Sequence, residues 1–590
     1  MICSTFVLIV LTAQAQGGVP KAEDGLHFDT PVTVWDEAMP LGDGLLGALV
    51  WGDGNPIKIS LDRTDLWDLR PVPEFHSADY SYARMREWEK AGKVEELLNL
   101  YDRPYERPAP TKIPAGRIEL TIGGAPAFRS ADLSLADATA RVLFKSGTEV
   151  RVWVHATECA GMIEVHGDEP VAAKLVAPAF GGGEAGPAKP AIVAGDLTQL
   201  GYPDPASTSG ETWSAYKQEG WGGFQFAVYL AWRATPGTWR AAWSVVSNRE
   251  HDEPLKEAKA NVERVLDAEP NAVRASHADW WTGYWAKTWL AVPNAAIERQ
   301  WYLDTYKFGA ASRRGSPPIT LQGPWTADDG KLPPWKGDYH HDLNTQLSYW
   351  PCYAGNRLDE GLSYLDWLWD TRGNCREWTR RFFDMPGMNV PMTADLNNNQ
   401  IGGWRQYTHS STTGAWLAHH FYLHWKFSAD REFLAKRAYP YLCDCATFIE
   451  AVTSERGPDG KRTLPLSSSP EINDNRPTAW FASITNYDLA LIRWLFTASA
   501  ELADALEKTD EAAHWRAVCS EMPGFSLGEE WHMVVAKDYP LRGSHRHFSH
   551  LFMIYPLHLV DAESAADRPL IEKSLDHWQS LPEALRGYSY

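Results

Sequence analysis

The hydrophobic pattern of this chain changes period once, and that change constrains the fold more than any other feature. From about Leu26 to Pro270 apolar residues alternate: Ile118, Leu120 and Ile122 in RIELTIGG, Val150, Val152 and Val154 in TEVRVWVHAT, and Phe224, Phe226, Val228 and Leu230 in FQFAVYLAW. A period of two sends one face of each strand into a core, and Gly- and Pro-rich turns such as FGGGEAGPAKPA separate the runs. This half predicts an antiparallel β-sandwich. Beyond Pro270 the period is helical. In TNYDLALIRWLFTASAELADALEK, residues Leu489, Ile492, Phe496, Ala503 and Leu506 share one stripe interrupted by Ser499. REFLAKRAYPYLCDCATFIEAV behaves similarly, with a helix break expected at its proline. The expected organisation is multidomain: a β-sandwich over 26–270, a helical linker and first helix over 271–330, and an all-helical domain over 331–590.

Composition narrows the partners. With 590 residues, 44% of them hydrophobic and 22% charged, the chain can bury more than one core. A formal net charge of −20 and the lack of any lysine or arginine run argue against a nucleic-acid partner. Its 29 tryptophans either fill helix–helix cores or offer flat faces to sugar rings, pointing to a neutral or small ligand. At the start, an apolar run from Phe6 to Leu11 precedes Ala13-Gln14-Ala15, which fits a secretory signal over 1–15 despite the missing positive n-region. Secreted or periplasmic location is the expectation. No later run reaches the roughly 18–20 apolar residues of a membrane span. Removal of the leader would leave Cys159, Cys352, Cys375, Cys443, Cys445 and Cys519, too few for a disulfide scaffold and not at zinc-finger spacing. We read them as buried small residues, with room for one bridge, and expect neither metal nor cofactor.

Three polar clusters sit among the helical patterns. In PWKGDYHHDLNTQLSYWP, His340, Asp342 and Asn344 share a face if the segment is extended; in a tight turn, Asp342 would instead accept from backbone N–H groups. SSSPEINDN carries Glu471 in a polar loop, where a lone glutamate is ordinarily solvated. GSHRHFSHLFMIYP carries His545, Arg546, His547 and His550; a metal needs further ligands at familiar spacing, whereas arginine flanked by imidazoles suits donation to sugar oxygens. Thr485-x-x-Asp488 reads as a capping box.

Together with WDEAMPLGDGLLGALVWGDG, GAWLAHHFYLHWKFSADREFLAKRAYP and NYDLALIRWLF, these clusters, in this order from about Val34 onward, resemble glycoside hydrolase family 95, the inverting α-L-fucosidases. The resemblance implies a β-sandwich followed by an (α/α)6 barrel. It implies Glu471 as general acid, kept protonated near neutral pH by burial, and Asn344 as the amide that positions the attacking water. It also implies His340, Arg546 and His547 as sugar-binding residues, with Trp416 as a stacking platform.

Two departures qualify these roles. The family reads His-x-Asn-x-Asn where this chain has His340-x-Asp342-x-Asn344. Asp342 is then either a direct general base or a change in which sugar hydroxyl is read. The family's later carboxylate-bearing motif does not occur before Tyr590, so a barrel truncated at its C-terminus is expected, and Asp538 is a weak substitute. The leading expectation is an exo-acting α-L-fucosidase for neutral oligo- or polysaccharides. Alternatives are another L-sugar glycosidase such as an α-L-galactosidase, a non-catalytic carbohydrate-binding fragment, or a phosphorylase on a similar barrel.

Overall fold

The computed structural model describes residues 18–184, 195–537 and 539–582. The leader expected over 1–15 and the weak candidate Asp538 lie outside the described residues.

The alternating half forms two large antiparallel sheets and a short two-stranded one, Trp67–Asp68 with Thr111–Lys112. The larger has nine strands, in spatial order Leu26–Phe28, Phe128–Ser134, Thr139–Phe144, Glu149–Val154, Gly161–His166, Thr238–Ser247, Gln225–Thr235, Trp213–Glu219 and Ala206–Ser209. The smaller runs Val171–Val176, Arg117–Ile122, Ile57–Arg63, Leu46–Trp51 and Met39–Gly42. Residues from both sheets meet in one apolar cluster, with Ile118, Leu120 and Ile122 from one and Val150, Val152, Val154, Phe226, Val228 and Leu230 from the other, as their alternation predicts. The intervening residues of the large sheet are also covered. Trp153, Met162, Tyr229 and Ala242 pack on the helix Pro254–Asp267 through Ala258, Val262 and Val265. Helical structure therefore begins before the Pro270 boundary expected from the sequence, because the outer sheet face is apolar enough to need a cover.

A second correction concerns residues 72–107. This segment leaves the sheets and docks on the helical half, where Tyr82, Met85, Leu97 and Tyr101 join the core formed with Phe382, Phe383 and Tyr487. Its attachment includes an ion pair in which Arg405, almost fully buried, meets Glu89 and Asp102, the latter at 2.8 Å. Such a pair tolerates burial only because both charges are matched.

The helical half is organised around Asn486–Ala505, opened by Thr485, whose side chain accepts from Asp488 N. The sequence stripe understates its burial, since Tyr487, Leu491, Trp494, Leu495 and Leu502 are buried as well. Helices Thr413–Ser428, Tyr439–Val452 and Thr509–Ser520 pack around it. The break expected at Pro440 does not occur. A π-helical turn, Leu434–Ala438, joins Arg431–Phe433 to Tyr439–Val452, and its wider spacing accommodates a proline that cannot donate. All six cysteines described are free thiols, so the bridge left open by the sequence is not formed. No described helix is long and apolar enough to cross a membrane.

Candidate active site

The first cluster is built by a bend. Trp335 and Lys336 adopt φ of 48° and 62°, conformations that side chains rarely tolerate, and they turn the chain into the short strand Tyr339–His340, which pairs with Thr393–Ala394. The extension ends there. Residues 341–343 turn, and Asn344 opens the helix Asn344–Tyr349. The shared extended face is thus not formed: Asn344 is solvent-exposed at the helix start, while His340 and Asp342 meet through the turn. His340 Nδ1 donates to Asp338 Oδ1 at 3.0 Å, and its Nε2 faces Asp342 Oδ1 at 3.4 Å. Asp342 is only 4% exposed, and no described protein group hydrogen-bonds its Oδ1. A buried carboxylate oxygen left open in this way is suited to receive a proton.

Glu471 is held by the serines before it. Ser467 Oγ donates to Asp488 at 2.6 Å, Ser468 Oγ to the Gln406 carbonyl at 3.3 Å, and Ser469 Oγ bonds Ser549 Oγ at 2.6 Å. Each serine ties the loop to a different neighbour. Glu471, Asn473 and Asp474 then take φ of 57°, 69° and 53°, a left-handed run that only this many anchors would sustain. Asp488 is correspondingly more than a capping residue. Its carboxylate accepts from Thr412, Ser467 and the Ser468 N–H, while Thr485 N is satisfied by Ser467 Oγ, so only half of the expected capping box is present.

The third cluster comes to Glu471. His547 Nε2 lies 3.1 Å from Glu471 Oε2, and Arg546 pairs with the same oxygen. Burial works to raise the Glu471 pKa, but the hydrogen bonds and charges of His547 and Arg546 outweigh it and hold the carboxyl at about 2. The sequence put Glu471 in a polar loop and did not show the two donors that meet it, which work against the protonated form expected of a general acid. His340 goes the other way. Burial works to lower its pKa, yet Asp338, Asp342 and, more weakly, Glu471 raise it to about 9.

Tyr407 connects the clusters. It is buried, and its hydroxyl is pushed far above the usual phenol range by burial and then by the charges of Glu471 and Asp342. Both carboxylates therefore bear on one side chain. Trp404 stands one helical turn before it, 42% exposed, with the two rings 5.7 Å apart. Trp416, expected to be the platform, is instead 1% exposed and makes edge contacts with Tyr487 and Phe552. The stretch GGWRQY, with an aromatic at each end of Trp404-x-x-Tyr407 after two glycines, is the sequence signal for this exposed pair. Replacing Trp416 by Ala is expected to destabilise the fold by about 3–5 kcal/mol in denaturant titrations. Trp404→Ala is expected to leave unfolding unchanged and raise KM about tenfold, stacking being worth roughly that much. Equal effects of the two on stability would contradict a buried packing role for Trp416 and an exposed one for Trp404.

Residues 297–577 match the glycosyl hydrolase family 95 catalytic domain, and residues 26–161 match the family 65 N-terminal domain. Among curated proteins, the chain is 26% identical over 284 residues to Alpha-L-fucosidase 2 of Arabidopsis thaliana, covering 46% of this chain and 33% of that protein. It is 23% identical over 409 residues to Probable alpha-fucosidase A of Aspergillus niger, covering 59% and 47%. The matched regions thus span a third to about half the length of these relatives. A solved structure described as "Putative kojibiose phosphorylase from human microbiome" superposes with a TM-score of 0.55 at 11% identity, covering 84% of this chain and 67% of that one, a likeness of fold alone. The catalytic-domain match contains the His340, Glu471 and Arg546 clusters in a single span, and this segment of the chain belongs to the catalytic domain of glycoside hydrolase family 95.

Proposed function

We propose that this chain is an inverting exo-glycosidase that releases terminal α-linked L-fucose from neutral oligo- or polysaccharides, with Glu471 as general acid and Asp342 as the base that activates water. The observation that carries this reading is a pair of carboxylates in separate settings, Asp342 3.4 Å from His340 Nε2 and Glu471 3.1 Å from His547 Nε2, whose charges both act on Tyr407. Glycoside hydrolysis with inversion needs two such groups on opposite faces of the bond being cut. The relatives named as α-fucosidases supply the sugar. In the proposed cycle a sugar takes the Arg546 and His547 donors onto its own oxygens. Glu471 then loses the partners that hold its pKa down, and burial, which works upward, returns it toward an acid able to protonate the leaving oxygen. Asp342 takes the proton of the attacking water; Asn344, exposed beside it, orients that water rather than activating it.

The same reading treats the paired sheets over 26–270 as a β-sandwich, 271–330 as a linker with the first barrel helix, and 331–590 as the (α/α)6-barrel part. Export remains proposed from the leader pattern. The deciding experiment follows hydrolysis of α-L-fucosides and α-L-galactosides by proton NMR. Release of the β-anomer of fucose first is expected. Release of the α-anomer would overturn inversion, and a preference for L-galactosides would move the substrate to the sugar that Asp342, in place of an amide, reads better.

A further inference from the structure

We propose that Tyr105, contributed by the N-terminal half of the chain, and Asp338 are positioning residues of this active site: together they lock the His340 ring so that its Nε2 braces Asp342. The proposal rests on the hydrolytic reading above.

The chain of contacts is continuous. Tyr105 lies on the 3-10 turn Arg103–Glu106, within the segment that crosses from the sheets to the helical half, and is buried. Its hydroxyl donates to Asp338 Oδ2 at 3.0 Å. The other oxygen of Asp338, itself fully buried, accepts from His340 Nδ1 at 3.0 Å, and His340 Nε2 faces Asp342 at 3.4 Å. With both Asp338 oxygens engaged, the carboxylate cannot rotate, so Nδ1 must carry a proton and the ring plane is set. Nε2 is then aimed at Asp342 Oδ1, which fixes the side from which that carboxylate is braced.

The charged groups around His340 agree. Asp338 and Asp342 flank it on its own segment, and Glu471 acts on it from the opposite loop. His341, next in sequence, is pushed down to about 3 by burial and is neutral, and Lys336 is turned away to the Arg107 carbonyl. With its pKa raised from 6.5 to about 9, His340 contributes stability that is fully present below 6.5 and is lost as pH rises through 9. An imidazolium is therefore the working form at neutral pH.

The test uses the full chain with Tyr105→Phe and Asp338→Asn, assayed on an α-L-fucoside. Tyr105→Phe keeps the ring and removes one hydrogen bond to a charged group, so kcat should fall about tenfold with KM within about twofold. Asp338→Asn should cost more and move the alkaline limb of the kcat profile to lower pH, because the charge holding the imidazolium is gone. Asp338→Glu should recover part of the loss. In 1H–15N NMR of ring-labelled protein at pH 7.5, the wild type should show both His340 ring N–H groups, and Asp338→Asn should lose one. A KM rise with unchanged kcat, an unmoved alkaline limb, or a singly protonated His340 in the wild type would each overturn the proposal. If Asp338→Asn fails to fold, Tyr105→Phe decides through the kcat and KM split. If the wild type releases no L-sugar, the hydrolytic reading falls, while the NMR result still decides how His340 is held.

Discussion

Asp342→Asn is expected to lower kcat on α-L-fucosides by about 10³-fold, within the range that general bases supply, while KM changes less than about threefold. The variant restores the family's His-x-Asn-x-Asn spacing, so the experiment separates two chemistries. If the amide pattern carried the reaction in this chain, the change would be neutral or beneficial. If Asp342 is the base, its loss removes a buried proton acceptor whose Oδ1 lies 3.4 Å from His340 Nε2 and takes no hydrogen bond among the described residues. Asn344→Ala is expected to cost about tenfold at most, because that side chain is exposed and only orients water. Azide should restore turnover to Asp342→Gly by taking the place of activated water and yielding a β-glycosyl azide. Retention of a third or more of the wild-type kcat in Asp342→Asn would place the base elsewhere.

The particular residues explain how much of this was legible beforehand. Alternation in strands such as Arg117–Ile122 is a local code and translates directly into burial. The outer cover by Pro254–Asp267 depends on the far face of a sheet assembled from distant strands. The three site clusters could be named because their residue types are unusual among helical patterns, yet their mutual contacts could not. Glu471 and Arg546 are 75 positions apart in numbering, and Tyr105 meets Asp338 across 233 positions. Pairing on that scale follows from topology, not from spacing. The same limit explains the tryptophans: sequence offers no means of telling that Trp416 faces Phe552 while Trp404 faces solvent. Of the two conformations the sequence allows for His340 and Asp342, the turn at 341–343 and not an extended strand brings them into contact.

Glu471→Gln is expected to abolish release of sugar from glycosides with poor leaving groups, by about 10³-fold or more, and to spare a fluoride or dinitrophenyl donor, whose departure needs no proton. A carboxyl held at about 2 by His547 and Arg546 is not an acid at neutral pH, so the enzyme becomes competent only when substrate draws those donors away. Because the folded pKa lies below the usual 4.5, the pairing contributes stability above that pH and loses it as pH falls toward 2, and acid exposure should loosen the loop before the rest of the fold. Arg546→Met removes one of the two donors while leaving burial in place. Carbon-13 NMR of the Glu471 carboxyl should then titrate at a higher pH than in the wild type, and an inert sugar analogue bound to the wild type should move it in the same direction. An analogue that leaves the carboxyl titration unmoved while occupying the site would show that Arg546 and His547 stay on Glu471, and the acid would have to be sought in another side chain of the cleft.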